Sequence, residues 1–159
     1  MAEDYFLKID GIDGESQDKT HGNEIEINSI SFGVSQTGGM GYGGGGGVGK
    51  AAFQDISFSK RTDKATCKIM EACAKGTHIK EIVFTARKAG EKPLEYLVVT
   101  LNDVIITSHQ MQGSPDGAMF ENVSFNFTKV KFKYNEQDEK GNKKGGNEFG
   151  WNIKQNATA

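Results

Sequence analysis

The chain has 159 residues and a mass of 17.3 kDa, about the size of one domain. Its 19 basic and 21 acidic residues leave a net charge of −2, so the basic footprint of a nucleic-acid binder is missing. Charged residues at 25% and hydrophobic residues at 36% also exclude the highly charged, apolar-poor composition of a disordered chain.

No stretch approaches the roughly 18 apolar residues of a membrane span, so no membrane insertion is expected. Met1–Asp10 reads MAEDYFLKID, acidic where a cleaved export signal is basic, so that route is not expected either. Cys67 and Cys73 are the two cysteines. Six residues apart, they sit about 240° apart around a helix. That pattern rules out a disulfide scaffold and a cysteine-rich zinc site.

In chain order, alternation dominates and predicts strands. Tyr5, Leu7 and Ile9 repeat at period two, as do Ile25 and Ile27. The apolar phase then slips by one at Asn28–Ser29, to Ile30, Phe32 and Val34, the mark of a bulge. Ile56/Phe58 and Ile82/Phe84/Ala86 predict two further strands. Leu94–Ile106 predicts another, broken at Asn102–Asp103. Val123, Phe125 and Phe127, a second slip, then Val130, Phe132 and Tyr134 predict one long bent strand. Trp151 and Ile153 close a set of about eight strands.

One segment is helical instead. Thr62–Gly76 reads TDKATCKIMEACAKG, with Thr62 or Asp63 as start cap and Gly76 as left-handed stop. Ala65, Ile69, Met70 and Cys73 form its expected buried face. Thr37–Gly49, Gly113–Gly117 and Asn135–Asn147 read as loops. No composition shift divides the chain, so residues 1–159 are expected to form a single domain.

Candidate chemistry is sparse. Gly44–Lys50 (GGGGVGK) fits the spacing of a phosphate loop, but Ala51 follows where a magnesium-binding hydroxyl is needed. The next segment also alternates like a strand, whereas a phosphate loop feeds a helix. His21, His78 and His109 stand alone, without a second metal ligand at suitable spacing. Ser108–His109 near Asp103 is adjacency, not triad geometry. No catalytic residue, cofactor or metal is therefore assigned, and the chain is not expected to be an enzyme. The five glycines Gly43–Gly47 permit close chain approach and mark a loop that orders by packing against something else.

Several stretches together resemble the haemolysin-coregulated protein (Hcp) family of type VI secretion. They are FLKIDGIDGESQDKTH (Phe6–His21), GGGGGVGKAAFQDISFSK (Gly43–Lys60), DKATCKIMEACAKG (Asp63–Gly76), FTARKAG (Phe84–Gly90), ENVSFNF (Glu121–Phe127) and GWNIKQN (Gly150–Asn156). One departure is Cys67, where the family helix often begins with proline.

The resemblance implies a mainly β fold, a closed antiparallel β-barrel with one flanking α-helix. It also implies a homohexameric ring, with rings stacking into a tube inside a contractile sheath. That tube leaves the cytoplasm with a spike protein at its tip, carrying small effector proteins. On this reading Ser29, Ser31 and Ser35 line the lumen, being small, uncharged and polar. Gly43, Gly45, Gly47, Gly90 and Lys154 are the expected contacts between subunits and stacked rings. Two other readings are a β-barrel binding module with the glycine loop as ligand lid, and an enzyme with an unrecognised site. The binding-module reading predicts no ring.

Overall fold

The computed structural model describes residues 3–38 and 49–159. The strands are β1 (Glu3–Ile9), β2 (Ile25–Glu26), β3 (Ser29–Ser31), β4 (Val34–Ser35), β5 (Ala52–Phe53) and β6 (Ile56–Arg61), followed after the helix α1 (Thr66–Lys75) by β7 (His78–Lys88), β8 (Leu94–Gln112), β9 (Phe120–Gln137), β10 (Lys143–Asn152) and β11 (Ala157–Thr158). The extra strands relative to the sequence reading arise because residues 25–35 split into three short pieces with three different partners. In addition, β9 and β10 run further than expected, through both ends of the expected Asn135–Asn147 loop, with the turn confined to Asp138–Asn142.

Nine strands share one antiparallel sheet, in the order β11-β10-β9-β8-β7-β1-β2, and β6 joins β9 to β3. β4 and β5 form a separate two-stranded sheet. The expected closed barrel is not formed. β2 pairs with β1 and β3 pairs with β6, but the ladder is interrupted between them. Only single backbone hydrogen bonds bridge the gap, from Ile27 N to Tyr5 O and from Asn28 N to Ser59 O. The break falls beside the apolar phase slip at Asn28–Ser29. A segment that changes partner while its side chains change face cannot keep both ladders intact.

The other slip is shared by three strands. The buried series runs Ile79 then Ile82 in β7, Leu101 then Val104 in β8, and Phe127 then Val130 in β9. These residues pair at one level, Ile79 with Val104 and Phe127, and Ile82 with Leu101 and Val130. All three strands change phase together, so register survives across a transverse line. Asp103 on that line has φ +52°, a conformation that Asp tolerates better than most side chains.

Helix α1 packs beside β8 and buries Ala65, Ile69 and Ala72. Gly76 ends it at φ +63°, with Gly76 N donating to Cys73 O and Thr77 N to Ala72 O. The start differs from the expected cap. Ala65 occupies the cap position, and Asp63 stands just outside, its Oδ1 accepting from Ala65 N while its own N donates to Thr66 Oγ1. Cys73 packs at the core margin, but Met70 is 44% exposed and is not a core residue. It sits about 100° around from Ile69, beyond the stripe the sheet covers.

Candidate functional site

The structure gathers the serines of β3 with residues that the sequence reading did not single out. Antiparallel register aligns Ser29 with Ser59, Asn122 and Gln110 across β3, β6, β9 and β8. The next row aligns Ser31 with Ser57, Ser124 and Ser108. Directly opposed residues share a face and successive residues alternate, so all eight side chains project from one side. Ile30, Ile56, Phe58, Val123 and Phe125 occupy the other side, facing the core.

The hydroxyls interlock. Ser29 Oγ meets Ser59 Oγ, and Ser124 Oγ meets Ser108 Oγ. Thr107 Oγ1 lies 2.9 Å from Ser124 Oγ and donates to Asp55 Oδ2 at 2.8 Å. Asn126 Nδ2 donates to the other oxygen of Asp55 at 2.9 Å. Ser29, Ser31, Ser57 and Ser108 are exposed, and Ser59 and Ser124 are half-buried. The result is a continuous, uncharged, hydroxyl-rich surface with Asp55 at one margin. The alternation of Ser57 and Ser59 in ISFSK was the available signal for β6.

The remaining predicted lumen and contact residues fall elsewhere. Ser35 is exposed on β4, opposite Ala52 in the small sheet, and is not part of the hydroxyl rows. Gly90 lies exposed in the turn between β7 and β8 at φ +150°. Lys154 is exposed in the turn between β10 and β11. Gly43, Gly45 and Gly47 lie outside the described residues.

Behind the hydroxyl face is a second feature that sequence reasoning missed. Lys60 and Glu121 are fully buried and paired at 3.2 Å. Lys60 Nζ also reaches Asp63 Oδ1 at 2.7 Å and Arg61 O at 3.1 Å. Glu121 accepts from Thr66 Oγ1 through Oε2 and contacts His109 Nε2 at 2.7 Å through Oε1. Burial alone pushes the Glu121 carboxyl up, but the Thr66 and His109 hydrogen bonds and the Lys60 charge hold it below its ordinary value. This network ties β6, β8 and β9 to the start of α1. His109 therefore points to the core and Ser108 to the hydroxyl face, on opposite sides of β8, so the adjacent pair cannot act together.

Among the described residues, no group of three or more His, Cys, Asp or Glu is arranged to hold a metal. No described helix is long and apolar enough to cross a membrane. The segment after Lys50 continues into β5 and β6, not into the helix a phosphate loop requires.

Together, the single helix and the bent antiparallel sheet with its hydroxyl face define a mainly β protein. The family profile described as type VI secretion system effector, Hcp, matches residues 6–134. The Pseudomonas aeruginosa protein hcp1 is 46% identical over 162 aligned positions, covering 100% of both chains. A crystal structure of Hcp1 from Salmonella typhimurium is 35% identical with a TM-score of 0.81, covering 100% of both chains. A structure of a type six secretion system protein, 25% identical, superposes with a TM-score of 0.95 over 99% of this chain and 100% of that one. The chain belongs to the Hcp family of type VI secretion.

Proposed function

We propose that this chain is the tube subunit of a type VI secretion system, with the hydroxyl face turned to the lumen of a homohexameric ring. Rings stack into a tube inside a contractile sheath. The tube leaves the cytoplasm with a spike protein at its tip, without a cleaved signal, and small effectors travel in the lumen. Family membership supports the tube role, and the two serine rows carry the lumen assignment. Hydroxyls both donate and accept hydrogen bonds and carry no charge, so they can meet cargo surfaces of either sign.

Gly90 and Lys154 are proposed to meet across stacked rings. Two observations support opposite rims. The β7–β8 turn carrying Gly90 lies at the end of the sheet where β9 meets Lys143, and Lys154 follows Asn152 at the other end of β10. About nine residues of β9 separate those levels, roughly 30 Å along a strand. Gly43, Gly45 and Gly47 are proposed as a further subunit contact on sequence grounds.

The test is native mass by light scattering with negative-stain imaging of the same peak. Ring-shaped particles of about 104 kDa, six copies of 17.3 kDa, are expected. A stable monomer overturns the assignment. Ser31→Trp is then expected to keep the ring mass and lower effector retention by about tenfold or more, a loss of at least one good polar contact plus steric occlusion. Unchanged retention by intact Ser31→Trp rings, in a pull-down with a co-expressed effector, would remove Ser31 from the lumen.

A further inference from the structure

The connection between β1 and β2 is held to the sheet by two basic side chains of different chemistry. The first is Arg87 on β7. Its Nη2 bonds Asp18 Oδ1 in the connection at 2.7 Å and Asp4 Oδ2 on β1 at 3.0 Å, and its Nη1 bonds Asp18 Oδ2 at 3.0 Å. Arg87 holds the Asp18 carboxyl well below the usual carboxylate range, more strongly than burial raises it. The second is His21, within the connection and buried. Its Nδ1 lies 2.7 Å from Glu24 Oε2 and its Nε2 lies 2.6 Å from Glu95 Oε1 on β8. Both side chains lie on Phe6: the His21 ring stacks at 4.5 Å and the Arg87 guanidinium sits 5.0 Å from the ring centre.

The two clasps differ in one respect. A guanidinium keeps its proton at any physiological pH, whereas an imidazole does not. A neutral imidazole donates from one nitrogen only. With a carboxylate oxygen facing each ring nitrogen, only the doubly protonated ring satisfies both contacts. Other charged groups near this connection are Lys8, Asp10 and Asp13, which line the same recess as Thr20, Asn23 and Glu24, and Glu26, which pairs with Phe6 in register.

We propose that His21 is a charge-dependent latch: as imidazolium it fastens the β1–β2 connection to β8 through Glu95, and on losing a proton it frees that strand and leaves the Arg87 clasp alone. Glu95 is the partner released, because its side chain is 38% exposed against 14% for Glu24 and can turn to water. Glu24 is only three residues from His21 in the chain. Burial acts to lower the affinity of His21 for its proton, but the bonds to Glu24 and Glu95 outweigh it and raise the pKa above the ordinary 6.5. The stabilisation is therefore complete below about pH 6.5 and is lost as pH rises through the raised folded-state value.

The inference concerns the subunit alone and stands whether or not rings form. Its test uses the full chain with 15N-labelled histidine, followed through alkaline pH. Both His21 ring nitrogens are expected to be protonated at neutral pH. Hydrogen exchange at Ser16 and Asn23, whose amides bond Glu24 O and Ser16 O, is expected to quicken by about tenfold across the His21 titration, after correction for intrinsic rates. Glu95→Gln is expected to shift the titration midpoint down and to reduce that step. A single neutral tautomer at pH 7, or exchange without a step at the His21 midpoint, overturns the latch. So does an unchanged midpoint in Glu95→Gln, since a merely structural contact would leave it in place.

Discussion

Lys60→Met is expected to lower the stability of the folded subunit by about 3–5 kcal/mol, the cost of leaving a buried charge without its partner. Lys60 and Glu121 are both at 0% exposure, so Glu121 cannot recover the lost contact from solvent. Thr66 and His109 remain as its partners, and neither replaces the lost charge. The measurement is the denaturation midpoint at matched protein concentration, since assembly shifts apparent stability.

The pH dependence of that loss has a definite sign. In the wild type the Glu121 carboxyl is held below its ordinary value. It therefore contributes stability above the ordinary carboxylate range and loses it as pH falls through the depressed value. Without Lys60 the desolvation of Glu121 is no longer opposed by that charge, so its proton affinity rises. The gap between variant and wild type is expected to narrow on acidification. Lys60→Met combined with Glu121→Leu is expected to cost less than the two single changes together, because the apolar pair leaves no buried charge. A loss below about 1 kcal/mol in Lys60→Met, the size expected of a surface pair, would show that the network does not hold the sheet to α1.

Phe125→Ala is expected to cost a comparable 3–5 kcal/mol, combining lost burial with a cavity. Phe125 is at 0% exposure and lies between Ile56 and Ile106 across the sheet. Its ring centre is 5.7 Å from that of Phe58. It also lies directly beneath the hydroxyl rows, so the cavity would open under Ser124. Phe125→Leu keeps most of the volume and is expected to cost less than about 1.5 kcal/mol. Both are read from chemical denaturation. Equal costs for the two variants would show that ring packing does not determine stability at this position.

Residues that alternate strictly were legible from sequence. The apolar series of β1 and β6, that of β9 up to Phe132, and the glycine stop of α1 stand where the sequence reading puts them, while Tyr134 at the end of the β9 series is 45% exposed. The slip between Phe127 and Val130 is visible in the sequence, yet its meaning depends on β7 and β8 making the same slip at the same level. Met70 shows the limit of helical periodicity, because the width of the buried stripe depends on what covers it. Of the site, Ser29 and Ser31 were legible from β3, whereas Ser57, Ser59, Ser108 and Ser124 come from strands far apart in the chain. Ser35 continues the same alternation and yet departs to another sheet, because β4 pairs with β5 instead of β6.

The sequence by itself determined a mainly β, near-neutral domain with one helix, and its order of motifs was enough to reach the Hcp family. Local periodicity and turn chemistry act within a few residues, so they can be read from the chain alone. Only the tertiary structure decided where the ladder breaks, which hydroxyls form one face, and that Lys60, Glu121 and His109 meet in one buried hydrogen-bond network. It also decided that His21 stands between two carboxylates, one of them 74 residues away. Those outcomes depend on strand register, which is set by pairing between distant segments and reverses every side chain when it moves by one residue.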